Sequence, residues 1–177
     1  MYEIQGIRIF GGYAFGTIHV RSSNETLTPA AFSDSDPVIL LSRGLLPNEL
    51  VAIRGSNVQA VCTKYGSENS HTSIIARSMG IPAMIAVDID ESMHGKYAIV
   101  DSYTSKLIVE PDDYVLNEYR KKAQQDVERK LMLSDLIGKD NITRDGHSID
   151  IFANIGGVSD LEYVMQNDAG GIGLFRR

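Results

Sequence analysis

The 177-residue chain contains no tryptophan, a single cysteine (Cys62) and only five prolines. One cysteine excludes an internal disulfide and a cysteine-rich metal centre. No apolar run comes near the roughly 18 residues of a membrane-crossing helix; Val38–Leu41 is among the longest. Met1-Tyr2-Glu3-Ile4 has neither the basic start nor the apolar stretch of a secretory signal, so the chain reads as cytoplasmic, with no membrane partner. Basic excess is missing too. Lysine and arginine number 17 against 23 aspartates and glutamates, a formal charge of -6, which argues against nucleic acid as a partner. The four histidines (His19, His71, His94, His147) lack metal-ligand spacing, so no metal site is expected in the chain. What remains is ordinary globular material, 43% hydrophobic.

The patterning predicts an α/β fold. Ile4, Ile7 and Ile9 approach strand alternation before Gly11-Gly12 interrupts, and Ala14–Val20 reads as a second strand. Arg21–Pro37, rich in Ser, Asn, Thr and Asp, has little to bury and reads as a loop. Strands are expected at Val38–Leu41, Val58–Thr63, Ala83–Val87, Tyr97–Asp101 and Lys106–Glu110, with a helix over Pro47–Ile53. A further helix over Ser70–Met79 has Ile74, Ile75 and Met79 on one face and Gly80 as its stop. This first domain spans 1–111. A charged linker helix, 112–139, follows: Val115, Tyr119, Ala123, Val127 and Leu131 recur every fourth residue, Asp112 or Asp113 caps its start and Gly138 its end. Residues 140–177 read as strand (Ile149–Ile155), helix (Asp160–Asn167) and strand (Gly171–Phe175). A lone βαβ unit cannot cover both faces of its sheet, so this part is expected to be a truncated piece of a larger parallel architecture.

One stretch carries chemistry. In Gly66-Ser67-Glu68-Asn69-Ser70-His71-Thr72-Ser73, a polar glycine-containing loop delivers a histidine to the start of a helix. First-turn N–H groups there lack helical partners, and the macrodipole is positive. Such a start favours an anion over a second positive charge, as phosphates at helix N-termini illustrate. Asn69, Thr72 and Ser73 could add hydrogen bonds to a phosphoryl group on His71. An ordinary capped helix with Ser70 as N-cap produces the same local pattern, so the physics alone leaves both open. Other motifs are weaker. Asp88-Ile89-Asp90-Glu91 opens like a calcium loop but has Met93 where glycine is required. Gly171-Ile172-Gly173 precedes a strand instead of following one, unlike a dinucleotide fingerprint.

The run Ser70–Ala83 resembles the phosphohistidine signature of phosphoenolpyruvate-utilising enzymes. Thr72 and Ile74-Ile75-Ala76-Arg77-Ser78 are most similar to the Enzyme I family of the bacterial sugar phosphotransferase system, the phosphoenolpyruvate–protein phosphotransferases. In pyruvate phosphate dikinase and phosphoenolpyruvate synthase, alanine usually follows the histidine. Asp145-Gly146-His147, Ala153-Asn154-Ile155-Gly156 and Gly171-Ile172-Gly173-Leu174-Phe175-Arg176 resemble the opening of the phosphoenolpyruvate-binding barrel of that family, and Gly6–Gly16 resembles its first strands. The resemblance implies a swivelling β/β/α phosphohistidine domain, a linker helix, and an incomplete βαβ piece of a TIM-type barrel. It makes His71 the residue that takes phosphate from phosphoenolpyruvate and passes it to an HPr-like carrier protein. Asn69, Ser70, Thr72, Ser73 and Arg77 become phosphate-stabilising residues, and Arg176 binds the substrate phosphate. Mg2+ is the implied cofactor of the complete enzyme, with no ligands identified in this chain.

The sequence also departs from the family. Gly66-Ser67-Glu68-Asn69 stands where Gly-Gly-Lys/Arg-Thr is usual, so Glu68 places an acid where a cation is common. The helical subdomain that binds HPr is inserted near Arg21–Pro37 in the family, and here that segment is short. Arg177 replaces a threonine. The implied partners are therefore a separate phosphoenolpyruvate-binding barrel, an HPr-like carrier, or a second copy joined through the truncated βαβ unit. The alternatives are the carrier domain of a dikinase or synthase and a non-catalytic docking module.

Overall fold

The computed structural model describes residues 1–33, 36–155 and 161–175. They fall into two compact units, Met1–Gln124 and Gln125–Arg177. The division lies inside a helix, beyond Pro111.

In the first unit an eight-stranded sheet runs in the order β1 (Tyr2–Gln5), β8 (Lys106–Val109), β7 (Tyr97–Asp101), β3 (Tyr13–Val20), β4 (Val38–Ser42), β5 (Val58–Thr63), β6 (Ala83–Ile85), β2 (Ile7–Phe10). Strands β3 to β6 pair in parallel, and the remaining pairs are antiparallel. The strand expected through Ile4, Ile7 and Ile9 is in fact two. β1 and β2 occupy opposite edges of the sheet, yet only Gly6 separates them. The sheet must therefore turn back on itself until its edges meet at that residue. Gly6 N–H donates to Ser105 O at 2.9 Å, while a side chain there would come within 2.8 Å of Val87 and 3.0 Å of the Ile85 carbonyl. Alternation in Ile4–Ile9 could not reveal this, because the break is imposed by tertiary closure.

Closure gives the unit two apolar layers. Alternate residues of β4 show the division: Ile39 and Leu41 face a core with Ala98, Val100, Leu107 and Val109 of β7 and β8, between the two halves of the folded sheet. Val38 and Leu40 face the other layer. There the sheet packs against α1 (Ala30–Ser33), α2 (Pro47–Ala52) and α3 (His71–Met79). Both faces of β4 are covered, and all five of its residues are buried. Cys62, fully buried in the inner layer, has its thiol pushed up to about 12 by desolvation and is chemically inert.

Further expectations are corrected. Arg21–Pro37 does bury apolar groups: Leu27 and Phe32 enter the helix-side core, and Phe32 lies on α1. The segment is also tied down by Arg21, whose guanidinium makes two hydrogen bonds to the Glu49 carboxylate of α2 and two to Glu25 O. On α3, Ile74 is exposed; Ser73 and Ala76 are the buried positions, with Ile75 and Met79 packed beside them. A helix so close to the sheet admits only small residues at its nearest points, which apolar counting overlooks. The strands expected to run to Val87 and Glu110 stop at Ile85 and Val109, where Ala86 (φ +56°) and Glu110 (φ +53°) leave extended geometry.

The helix expected over Asp112–Gly138 is α4 (Asp113–Ser134), with the Asp112 carboxylate accepting from Val115 N–H at 2.8 Å. Its first turns are part of the first unit. Tyr119 meets Tyr13 edge to face, with ring centroids 6.1 Å apart, and its hydroxyl donates to the buried Asp101 carboxylate. The later positions of the apolar stripe, Val127 and Leu131, are exposed. In the second unit Ile142–Ser148 is a tight turn closed by one antiparallel bridge, with Gly146 at φ +88°. Beyond it β9 (Ala153–Ile155) and β10 (Ile172–Phe175) pair in parallel, with α5 (Leu161–Gln166) between them in sequence. The expected strand Ile149–Ile155 is thus reduced to its last three residues; Ile149 and Ile151 are exposed. Among the described residues, no helix is long and apolar enough to cross a membrane.

Burial and the negative charge of Asp101 together raise the Tyr119 phenol to about 12, against about 10 for a free tyrosine. A raised folded-state pKa contributes stability that is complete below pH 10 and lost as pH climbs toward 12. Tyr119→Phe should therefore flatten the fall in stability between pH 10 and 12, at a cost of about 1–2 kcal/mol at neutral pH from the lost bond to Asp101. Urea unfolding across that range measures both effects.

Candidate functional site

The helix that carries His71 begins with a hydrogen-bonded cap. Ser70 has extended geometry (φ -69°, ψ 154°), and its hydroxyl oxygen accepts from Ser73 N–H at 3.2 Å. Ser70 O–H in turn donates to Ser73 Oγ at 3.0 Å, and Ser73 O–H donates to Ser67 O at 2.7 Å. Ser70 N–H also reaches Ser67 O, closing a turn over 67–70. Gly80, left-handed at φ +69°, ends the helix.

His71 is the first helical residue and is exposed. The N–H groups of His71 and Thr72 have no acceptor among the described residues, as first-turn amides of a helix generally lack one. A nucleophilic ring therefore stands at the open, positive end of α3, beside two free donors. An anion attached to that ring would meet both a favourable dipole and hydrogen-bond donors.

The neighbours expected to contact phosphate are otherwise engaged. Thr72 O–H donates to Leu45 O at 2.9 Å, joining the first turn of α3 to the β4–α2 loop. The backbone of that loop also receives the segment after β5: Lys64 N–H bonds Ser42 O and Tyr65 N–H bonds Arg43 O. Ser73 is buried. Arg77 donates from Nε to Ile9 O at 3.2 Å and from Nη2 to Glu68 O at 3.0 Å, tying the loop before the helix to edge strand β2. Asn69 is exposed. Arg176 lies outside the described residues, so its position relative to these groups is not assigned. Sequence reasoning missed Leu45, Ile9 and Ser67, which act only through carbonyl oxygens and leave no trace in residue type.

Of the other histidines, His147 is exposed in the second unit, with the Asp145 carboxylate 3.7 Å from its Nε2. Among the described residues, no cluster of three or more histidine, cysteine, aspartate or glutamate side chains is placed to hold a metal ion. His19 bonds Glu25 at 2.7 Å and stacks edge to face on Phe32 and His94, while His94 Nδ1 accepts from Val20 N–H. These contacts secure the segment after β3. In the second unit, a cleft of about 200 Å³ is lined by Leu136, Phe152, Asp168 and their neighbours, among them Ala153 of the barrel-like motif.

The first unit is thus a sheet folded over two cores, with a histidine at the free end of a short helix. Residues 34–105 match the mobile domain of PEP-utilising enzymes, a span that includes β4, β5, α3 and His71. The chain is similar to the phosphoenolpyruvate-protein phosphotransferase of Staphylococcus carnosus, 33% identical over 143 residues, covering 80% of this chain and 25% of that one. It is 36% identical to that of Buchnera aphidicola subsp. Schizaphis graminum over 141 residues, 78% of this chain and 25% of the relative. A solution NMR structure of Enzyme I matches with 29% identity and a TM-score of 0.45, covering 53% of this chain and 39% of that one. The resemblance read from the sequence to phosphoenolpyruvate–protein phosphotransferases therefore holds. The chain spans about a quarter of the length of the curated relatives it matches.

Removing the cap hydroxyl should loosen this start without touching the ring. Ser70→Ala leaves Ser73 N–H without its acceptor and should cost about 1 kcal/mol. Chemical denaturation reads that loss, and amide exchange should show faster opening confined to the first turn of α3.

Proposed function

We propose that the chain is the phosphoryl-carrier part of an Enzyme I-like phosphotransferase, with His71 as the residue that carries the phosphate. The observation supporting this most strongly is the exposed ring of His71 at the amino end of α3, beside two partnerless N–H groups, inside the segment that matches the mobile domain. In the reaction, Nε2 of a neutral His71 attacks the phosphorus of phosphoenolpyruvate in line. The P–N bond forms as the P–O bond to enolpyruvate breaks, and enolpyruvate departs with that oxygen. Transfer onward reverses the geometry: a histidine of an HPr-like carrier attacks the same phosphorus, and His71 leaves.

The chain's own task is to present the ring and hold the charged phosphoryl group on helix N–H donors. Thr72 fixes the first turn through Leu45 O, and Ser70 and Ser73 fix the loop. Asn69 and Arg176 are proposed contacts to the phosphate of, respectively, the phosphohistidine and the substrate. The first unit would then be the swivelling domain, α4 the helix about which it moves, and the β9–α5–β10 unit the opening of a phosphoenolpyruvate-binding barrel. That barrel would supply the substrate arginines and hold Mg2+, and it would be the carrier domain's partner in the cytoplasm. A second copy of this chain, docked through the same βαβ unit, is the other proposed partner.

Incubation with phosphoenolpyruvate and Mg2+, with and without a separately supplied Enzyme I barrel, tests this reading by intact mass. Wild type should gain one acid-labile phosphate only when the barrel is present, and His71→Ala should gain none. Loading of His71→Ala, or no loading of wild type beside a functioning control enzyme, contradicts it.

A further inference from the structure

The loop before α3 raises a problem that the reading of His71 as phosphoryl acceptor must answer. Position 68, where the resemblance implies a cation, is an acid here, and the nearby cation Arg77 directs its Nε and one Nη2 donor to backbone carbonyls. The phosphoryl group then calls for a further source of hydrogen-bond donors.

The carbonyl directions identify it. Every peptide bond of the described chain is trans, so each C=O points opposite to the N–H of the following residue. Ser67 O is held by Ser73 O–H at 2.7 Å and by Ser70 N–H at 3.1 Å, which aims the Glu68 N–H away from the helix. Glu68 O is held by Arg77 Nη2 at 3.0 Å, which aims the Asn69 N–H away from Arg77. Residues 67–69 are exposed, and neither of these N–H groups has an acceptor among the described residues. With those of His71 and Thr72 they make four free donors within five residues.

The geometry points to Arg77 and Ser73 as positioning residues of the phosphoryl site. They hold the Glu68 and Ser67 carbonyls, and so present the Asn69 and Glu68 N–H groups as donors to the phosphate on His71. The inference rests on the reading of His71 above. It also explains how Glu68 is tolerated, because position 68 contributes its main chain to the site. Arg77 touches neither phosphate nor ring; it acts through the peptide it holds, anchored at its other end to Ile9 O of β2.

The test uses the full chain and phosphoramidate, a small donor that needs no barrel. The His71 ring nitrogen attacks its phosphorus, the P–N bond to the amine breaks, and ammonia leaves. Backbone amide resonances are followed before and after loading. In wild type, the amides of Glu68, Asn69, His71 and Thr72 should all move downfield on phosphorylation. In Arg77→Gln the Asn69 response should be lost while those of His71 and Thr72 persist, and loading should slow by roughly 10- to 100-fold, less than the roughly 100- to 1000-fold cost of removing such a donor outright. Arg77→Lys, which keeps a donor for one carbonyl, should fall between them. Ser73→Ala should instead lose the Glu68 response. Silent Glu68 and Asn69 amides in phosphorylated wild type, or an Arg77→Gln protein that responds as wild type does, overturn the inference while leaving His71 as acceptor. Failure of wild type to acquire phosphate on His71 overturns the underlying reading, and this inference with it.

Discussion

The single-residue joint at Gly6 is the constraint on which the first unit depends. Because β1 and β2 lie at opposite edges of one sheet and share that joint, the sheet has to fold back, and both of its faces then need cover. The inner face is covered by the sheet's own other half, through Ile39, Leu41, Val100 and Leu107. The outer face takes the helices. A side chain at position 6 would press on Val87 and on the Ile85 carbonyl, so the joint tolerates only the smallest residue. Placing β2 at the edge beside β6 also puts the Ile9 carbonyl within reach of Arg77. Sheet closure and the loop before α3 are mechanically joined at that point.

Around the amino end of α3, the side chains of Thr72, Ser73 and Arg77 are committed to the backbone. Thr72 holds Leu45, Ser73 holds Ser67, and Arg77 holds Ile9 and Glu68. These contacts consume carbonyl oxygens and leave N–H groups unspent. The arrangement suits a site that must bind an anion and then surrender it, because main-chain donors on a fixed loop need little reorganisation when the phosphate arrives. An exposed ring serves the same end, since both a donor enzyme and an acceptor protein must reach it.

Much of this was legible in the sequence, and the failures have physical causes. The places of most strands, the Ser70 cap, the Gly80 stop and the position of His71 at the first turn all follow from local signals: alternation, capping chemistry and a left-handed glycine. The split of the first strand was not legible, since Tyr2–Phe10 looks locally like one strand and only closure breaks it. Leu27 and Phe32 were hidden in a polar segment whose order comes from the Arg21–Glu49 pair far along the chain. Ile74 misled for the opposite reason: it fits the helical spacing but faces solvent, while Ser73 and Ala76 occupy the tight contact. At the site, residue types announced the histidine, but the carbonyls of Leu45, Ile9 and Ser67 carry no sequence signature at all.

The central claim is that the His71 ring bears the phosphoryl group through a defined nitrogen. Phosphorus–nitrogen coupling, recorded on chain phosphorylated after ring-15N labelling of histidine, tests it most directly. The account predicts one phosphorus resonance coupled to Nε2 of His71, with His19, His94 and His147 unmodified. Phosphate on another histidine, or spread across several, would contradict it.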